Sequence, residues 1–140
     1  MNLQVGVKVL LKNSEGKILL LKRSEEKYGK TNGSWDIVGG RIDPGTPLLD
    51  NLKREVEEET KLSLTSTSKL IAAQDIIPNE ERHIVRLTYV AHTEGEPELD
   101  GREHGEYKWV TFEQLAEEKD LDVYVVSLLK EGLLSESSWN

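Results

Sequence analysis

From Gly39 to Leu62 the chain reads GGRIDPGTPLLDNLKREVEEETKL, with six acidic side chains behind a glycine pair. On a helix of about 100° per residue with Leu52 at zero, Leu48, Leu49, Leu52 and Val56 share an arc of roughly 100°, the face that must pack on other structure. Asp50, Lys53, Arg54 and Glu57 gather opposite, as a solvated face should. Glu55, Glu58 and Glu59 do not join them. They fall at about 300°, 240° and 340°, along one edge of the apolar stripe. Like charges at i, i+3 and i+4 repel, and partial burial raises the cost. Two arrangements relieve it: basic side chains reaching in from a sheet, or shared cations. An all-oxygen donor set suits a hard ion, Mg²⁺ or Mn²⁺.

A sheet and flanking helices must hold this segment. Val5, Val7, Val9 and Leu11 alternate along a first strand, KNSEGK (Lys12–Lys17) predicts a hairpin turn with Gly16 at positive φ, and ILLLKR (Ile18–Arg23) returns. Residues Ser24–Ser34 form a polar loop, and WDIV re-enters the sheet. KLIAAQDII (Lys69–Ile77) and RHIVRLTYVAHT (Arg82–Thr93) predict two strands around the turn PNEE. Glu94–Glu106 is a second long loop before a short strand, YKWV. Helices are expected over Pro47–Lys61, and once or twice within Thr111–Lys130, where Thr111 and Gln114 have capping-box spacing. The class is α+β, one domain over residues 1–140 with a mixed sheet flanked by helices.

Composition excludes several functions. A net charge of −8 disfavours a surface that grips phosphate backbones, so no nucleic-acid partner is expected, although metal ions let an acidic protein handle anionic phosphates. Without cysteine there is no thiol nucleophile, disulfide or thiolate zinc site. The apolar runs Ile18–Leu21 and Val123–Leu129 are too short for a bilayer, and no secretory leader pattern is seen. The expectation is a cytoplasmic protein without a membrane partner.

The stretch resembles the Nudix hydrolase box, G-x5-E-x7-R-E-U-x-E-E-x-G-U with U a bulky apolar residue. Gly40, Arg54, Glu55, Val56, Glu58, Glu59 and Leu62 fall on it; Thr46 stands where the family has Glu, and Lys61 where it has Gly. WDIVGG is similar to the family's W-x-x-P-G-G entry with Val38 for Pro, and EHGEYKWVTFEQL to its closing segment. The resemblance implies an α/β/α sandwich and metal-dependent hydrolysis of a nucleoside diphosphate linked to another group X. By that likeness Glu58 and Glu59 are the main metal ligands, Glu55 a ligand or base, and the Gly40 carbonyl a further ligand. Arg54 would orient Glu55, a role the wheel does not yield, because sequence neighbours do not face each other on a helix. Arg23 and Arg41 are candidate phosphate contacts, and Glu103 and Glu106 lie where the family often adds a carboxylate; solvation explains them equally well.

Neither departure removes a box carboxylate. Thr46-Pro47 suits a helix start, and Lys61 accepts a left-handed turn at a cost of about 1 kcal/mol, partly offset by its charge at a helix C-terminus. Two other readings compete: a non-catalytic nucleotide-binding domain on the same scaffold, and a phosphate loop at SEEKYGKT (Ser24–Thr31). The latter lacks the first glycine and carries Glu25 and Glu26 in the cradle. Pro78, sixteen residues after Leu62, resembles ADP-ribose-cleaving members but also suits a plain turn. Nucleoside triphosphates, dinucleoside polyphosphates and nucleotide sugars stay open as substrates, and a homodimer is admitted by the likeness alone. His83, His92 and His104 have no ligand spacing, and Trp35 and Trp109 are expected in the core.

Overall fold

The computed structural model describes residues 1–29 and 33–140. Its frame is a mixed sheet built outward from β1 (Asn2–Lys12). Valine and leucine fill this strand, and Val7, Val9, Leu10 and Leu11 are fully buried; a strand sealed on both faces needs apolar side chains in both phases. β1 runs parallel to β6 (Arg82–His92) and antiparallel to β4 (Val38–Arg41), and meets β2 (Ile18–Arg23) at Lys12 and Ile18. β2 pairs with β3 (Trp35–Asp36) and β7 (His104–Val110), and β5 (Lys69–Ile76) closes the far edge on β6. The Lys12–Lys17 turn carries Gly16 at φ 78°, as its sequence requires.

Helix α2 (Leu48–Thr60) covers one face through Leu52 and Val56, packed on Val7, Val9, Leu11, Leu19 and Val38. On the other face α3 (Phe112–Glu117) and α4 (Val123–Lys130) set Leu115, Val125 and Leu128 against Leu10, Ile18, Leu20 and Val90. The three layers are the expected α/β/α sandwich. Thr111 and Gln114 form the expected reciprocal cap of α3. Near the C-terminus, Trp139 donates its indole N–H to the Leu10 carbonyl at 3.1 Å.

Four local expectations are corrected. The Ser24–Ser34 loop contains a short helix, α1 (Glu25–Tyr28); the rest of the phosphate-loop reading, Lys30 and Thr31, lies outside the described residues. Leu48 and Leu49 are 36% and 45% exposed, because the first turn of α2 stands clear of the core and the apolar face closes only from Asn51 onward. Thr46 does not cap α2: the N-cap is Pro47, with no side-chain bond, and the Thr46 N–H donates to Asp43 O. Finally, β7 starts at His104, so the second polar loop is shorter than its composition suggested. Lys61 does adopt the left-handed conformation, φ 62° and ψ 9°. Among the described residues it is the one non-glycine with positive φ.

Candidate active site

A cleft of about 640 Å³ opens beside the C-terminal half of α2 and crosses the sheet from β4 to β6. Its floor depends on Gly39 and Gly40. Gly39 has φ 142°, and a Cβ there would collide with the Val7 carbonyl and the Lys8 backbone. A Cβ on Gly40 would stand 3.0 Å from Glu55 Oε1. The glycine pair therefore lets strand backbone lie directly under a carboxylate, which larger residues would prevent.

Three of the four acidic residues near the end of α2 line this cleft: Glu55, Glu58 and Glu59. Glu57 is exposed. The wheel therefore separates them as the structure does. Glu59 is 9% exposed and accepts one hydrogen bond, from Gly39 N at 2.9 Å. Burial pushes its carboxyl up to about 8, against the opposing pull of Lys8 and the Gly39 N–H, and with the help of Glu55 and Asp36. Burial also raises Glu55, which Arg54 partly offsets and Glu58 reinforces. Glu58 turns outward to Arg54, 3.4 Å away. Among the described residues no three acidic or imidazole side chains form a ready-made metal cage. The donor chemistry of Glu55, Glu58 and Glu59 nevertheless fits a hard dication: oxygen ligands only, on one wall of one cleft, beside the Gly40 backbone.

Arg54 contradicts the argument that sequence neighbours on a helix stay apart. Its long side chain folds back, placing Nη2 3.6 Å from Glu55 Oε1 and 3.1 Å from Asp43 Oδ2. It also donates to Asn51 Oδ1 at 2.9 Å. The wheel describes Cβ directions, and a guanidinium reaches well beyond them.

The remaining candidates divide. Arg23 and Arg41 line the cleft, but Arg23 is committed to Asp36 and Asp122, at 3.0 and 3.2 Å. Glu103 lines it too and pairs with Lys27 at 2.6 Å. Glu106 is not brought to the cleft. It is exposed on β7, because the ladder pairs Arg23 with His104 and Lys22 with Glu106. Gly105 is thus an unpaired extra residue, a bulge that re-aims the side chains on either side of it. Trp35 and Trp109 pack against the two cores as expected.

Sequence reading missed Lys8, Asp36, Arg86, His104 and Asp122. The signal was a lone cation in each of two apolar strands, VGVKVLL and HIVRLTYVA. Lys8 Nζ donates to Asp36 Oδ2 at 3.0 Å and Ile37 O at 3.1 Å. It is the basic side chain from the sheet that the alternative to metal binding required, yet its hydrogen bonds go to neither Glu55 nor Glu59. His104 is 6% exposed and lines the cleft, and burial lowers its pKa.

Comparison with known proteins places this architecture. A NUDIX domain model matches residues 2–128. A proposed 8-oxo-dGTP diphosphatase of Bacillus subtilis (strain 168) is 32% identical over 106 residues, which is 76% of this chain and 65% of that protein, just under two thirds of its length. Nucleoside triphosphatase NudI of Escherichia coli (strain UMN026) is 29% identical over 131 residues, covering 86% of this chain and 92% of the relative. The crystal structure of a MutT protein from Methanosarcina mazei Go1 superposes with a TM-score of 0.78 at 25% identity, over 92% of this chain and 91% of that one. With Gly40 and the three box carboxylates on one cleft and the family model spanning nearly all of the sequence, the chain belongs to the MutT-like Nudix hydrolases.

Proposed function

We propose that this chain, acting as one domain, hydrolyses a phosphoanhydride bond in a nucleoside diphosphate linked to another group X, releasing a nucleoside monophosphate. The observation that carries the reading is the imbalance at Glu59: a carboxylate buried in a cleft, with one backbone N–H and, among the described residues, no cation bonded to it. Burying a carboxylate with so few partners is costly, which makes it a candidate for chemistry. Glu55, Glu58, Glu59 and the Gly40 carbonyl would hold Mg²⁺ or Mn²⁺. Such an ion, when bound, neutralises phosphate oxygens and lowers the pKa of a bound water.

The protein's own residues supply the rest. Gly39 N–H orients the Glu59 carboxylate at 2.9 Å. Arg54 restrains Glu55 and Glu58 from one side. Glu55, with its raised pKa, is the carboxylate best placed to take a proton from attacking water. Arg41 and Lys8 add positive charge along the cleft, which favours an anionic substrate. The named relatives, one a nucleoside triphosphatase and one a proposed 8-oxo-dGTP diphosphatase, support a small nucleotide as the substrate.

The deciding experiment is a panel of nucleoside triphosphates, dinucleoside polyphosphates, ADP-ribose and nucleotide sugars with Mg²⁺ and with Mn²⁺, products resolved by chromatography. Monophosphate release that depends on the ion is expected. Binding of ion and nucleotide with no product would instead identify a non-catalytic nucleotide-binding domain.

A further inference from the structure

Away from the carboxylates, the cleft ends on Ile76, Ile84, Arg86, Asp122 and Tyr124. Arg86 sits between apolar neighbours on β6 and is 4% exposed. Its partners across the ladder are Gly6 on β1 and Gln74 on β5, so no bulky β1 side chain covers it. Nη2 stands 2.8 Å from Asp122 Oδ2, an ion pair lying off the hydrogen-bond direction. Nε and Nη2 are sealed from solvent and, among the described residues, have no hydrogen-bond acceptor. The guanidinium carbon is 5.3 Å from the centre of the Tyr124 ring. Placing a guanidinium in a core costs several kcal/mol unless it is well paired. An apolar side chain would fill this position better if packing were all it served.

The carboxylate beside Arg86 is already committed. Asp122 Oδ1 receives Arg23 at 3.2 Å, and Oδ2 receives Val125 N at 3.2 Å besides facing Arg86. Gln74 donates its amide to Tyr124 O at 3.0 Å, and among the described residues its Oε1 is buried without a hydrogen-bond partner. This end of the cleft therefore presents a fixed cation, one aromatic ring and two isoleucines, with its one carboxylate saturated by donors.

We propose that Arg86 selects the nucleobase of the substrate, favouring bases that carry a carbonyl at purine C6 or pyrimidine C4 (guanine, uracil, thymine) over those that carry an amine at that position (adenine, cytosine). This rests on the nucleotide reading above and refines it. A guanidinium only donates hydrogen bonds. A carbonyl meets it as an acceptor, whereas an amine brings donor against donor in a site closed to water. Sites built around one buried polar group discriminate most strongly in that way.

The test pairs catalysis with binding. kcat/KM is measured for GTP, UTP, ATP and CTP with Mg²⁺, and calorimetry gives the dissociation constants of the four monophosphates, for the wild type and Arg86→Gln. In the wild type the carbonyl bases should lead by about 10- to 100-fold in both measures. A glutamine amide both donates and accepts, so in the variant the ratio should fall towards one. Equal treatment of the four bases by the wild type, a preference for amino bases, or an unchanged ratio in Arg86→Gln overturns the role of Arg86. If Arg86→Gln does not fold, as judged by its thermal melt, the wild-type ranking decides alone. Monophosphates ranked as expected with no triphosphate cleaved would leave base selection standing and remove the hydrolytic reading; cleavage without ranking does the reverse.

Discussion

Asp36 and Glu59 are both buried carboxylates lining one recess that adjoins the cleft, and they live under opposite electrostatics. Burial alone would raise Asp36, but Lys8, Arg23 and Arg86 overcome it and hold its carboxyl well below the usual carboxylate range. Lys8 and Arg23 bond it directly, each at 3.0 Å. Glu59 has one backbone N–H and rises to about 8. The first arrangement is complete within the protein. The second is under-compensated: Lys8 pulls against its burial without bonding it. Buried charges that are paired serve the fold, and those left short are the candidates for chemistry.

The largest effect should come from Glu59→Gln. Turnover on the best nucleotide should fall by on the order of 10³-fold, about 4 kcal/mol in the barrier, while the thermal melt without added metal stays level or rises. Glutamine keeps an acceptor for Gly39 N–H and loses only a charge that burial disfavours. Kinetics and circular dichroism on one preparation would show it; a variant that unfolds, or one that turns over normally, would place Glu59 with Asp36.

Asp36→Asn should do the opposite damage, because it leaves Lys8 and Arg23 facing an uncharged partner. Breaking a buried pair this way costs about 3–5 kcal/mol, readable by urea denaturation at pH 7. The pH dependence has a definite sign. The folded-state pKa of Asp36 is depressed from 3.8, so its contribution is fully present above that value and is lost as pH falls below it. The stability gap between wild type and Asp36→Asn should be constant from pH 7 to 5 and narrow towards pH 3. A gap that widens in acid would reverse the assignment.

A smaller effect separates the two carboxylates through their partners. Mg²⁺ or Mn²⁺ at ten times its dissociation constant should stabilise the wild type by about 1.4 kcal/mol, with the melting temperature rising accordingly. Glu59→Gln should lose most of that rise. Equal rises in both would put the ion elsewhere.

The carboxylate end was legible in the sequence because helical periodicity alone separates Glu55, Glu58 and Glu59 from Glu57. The box spacing named the family for the same reason: both signals are local. The paired end was not legible. Lys8, Asp36, Arg86 and Asp122 come from β1, β3, β6 and the residue capping α4, and only the parallel β1–β6 ladder with the chain's return past α3 brings them together. A lone lysine in a valine-rich strand marks an anomaly without naming its partner. Glu106 failed for a related reason: a one-residue bulge at Gly105 reverses the side-chain phase and leaves no compositional trace.

The smallest expected effect concerns where α2 ends, just beyond the carboxylates. Lys61 holds φ 62° while its N–H donates to Glu57 O at 2.9 Å. The next residue, Leu62, is 5% exposed and donates its own N–H to Thr60 Oγ1 at 3.1 Å. The backbone is thus held on both sides of a conformation that costs a lysine about 1 kcal/mol. Lys61→Gly removes that strain but also the favourable cation at the helix end, some tenths of a kcal/mol, and it enlarges the freedom of the unfolded chain. The net should be a gain below about 1 kcal/mol in urea denaturation with turnover unchanged, since Lys61 does not line the cleft. A loss of stability would mean that the charge outweighs the strain. A loss of turnover would mean that the last turn of α2 aims Glu58 and Glu59, and the unpaired end of the cleft would then depend on local backbone geometry as the paired end depends on its cations.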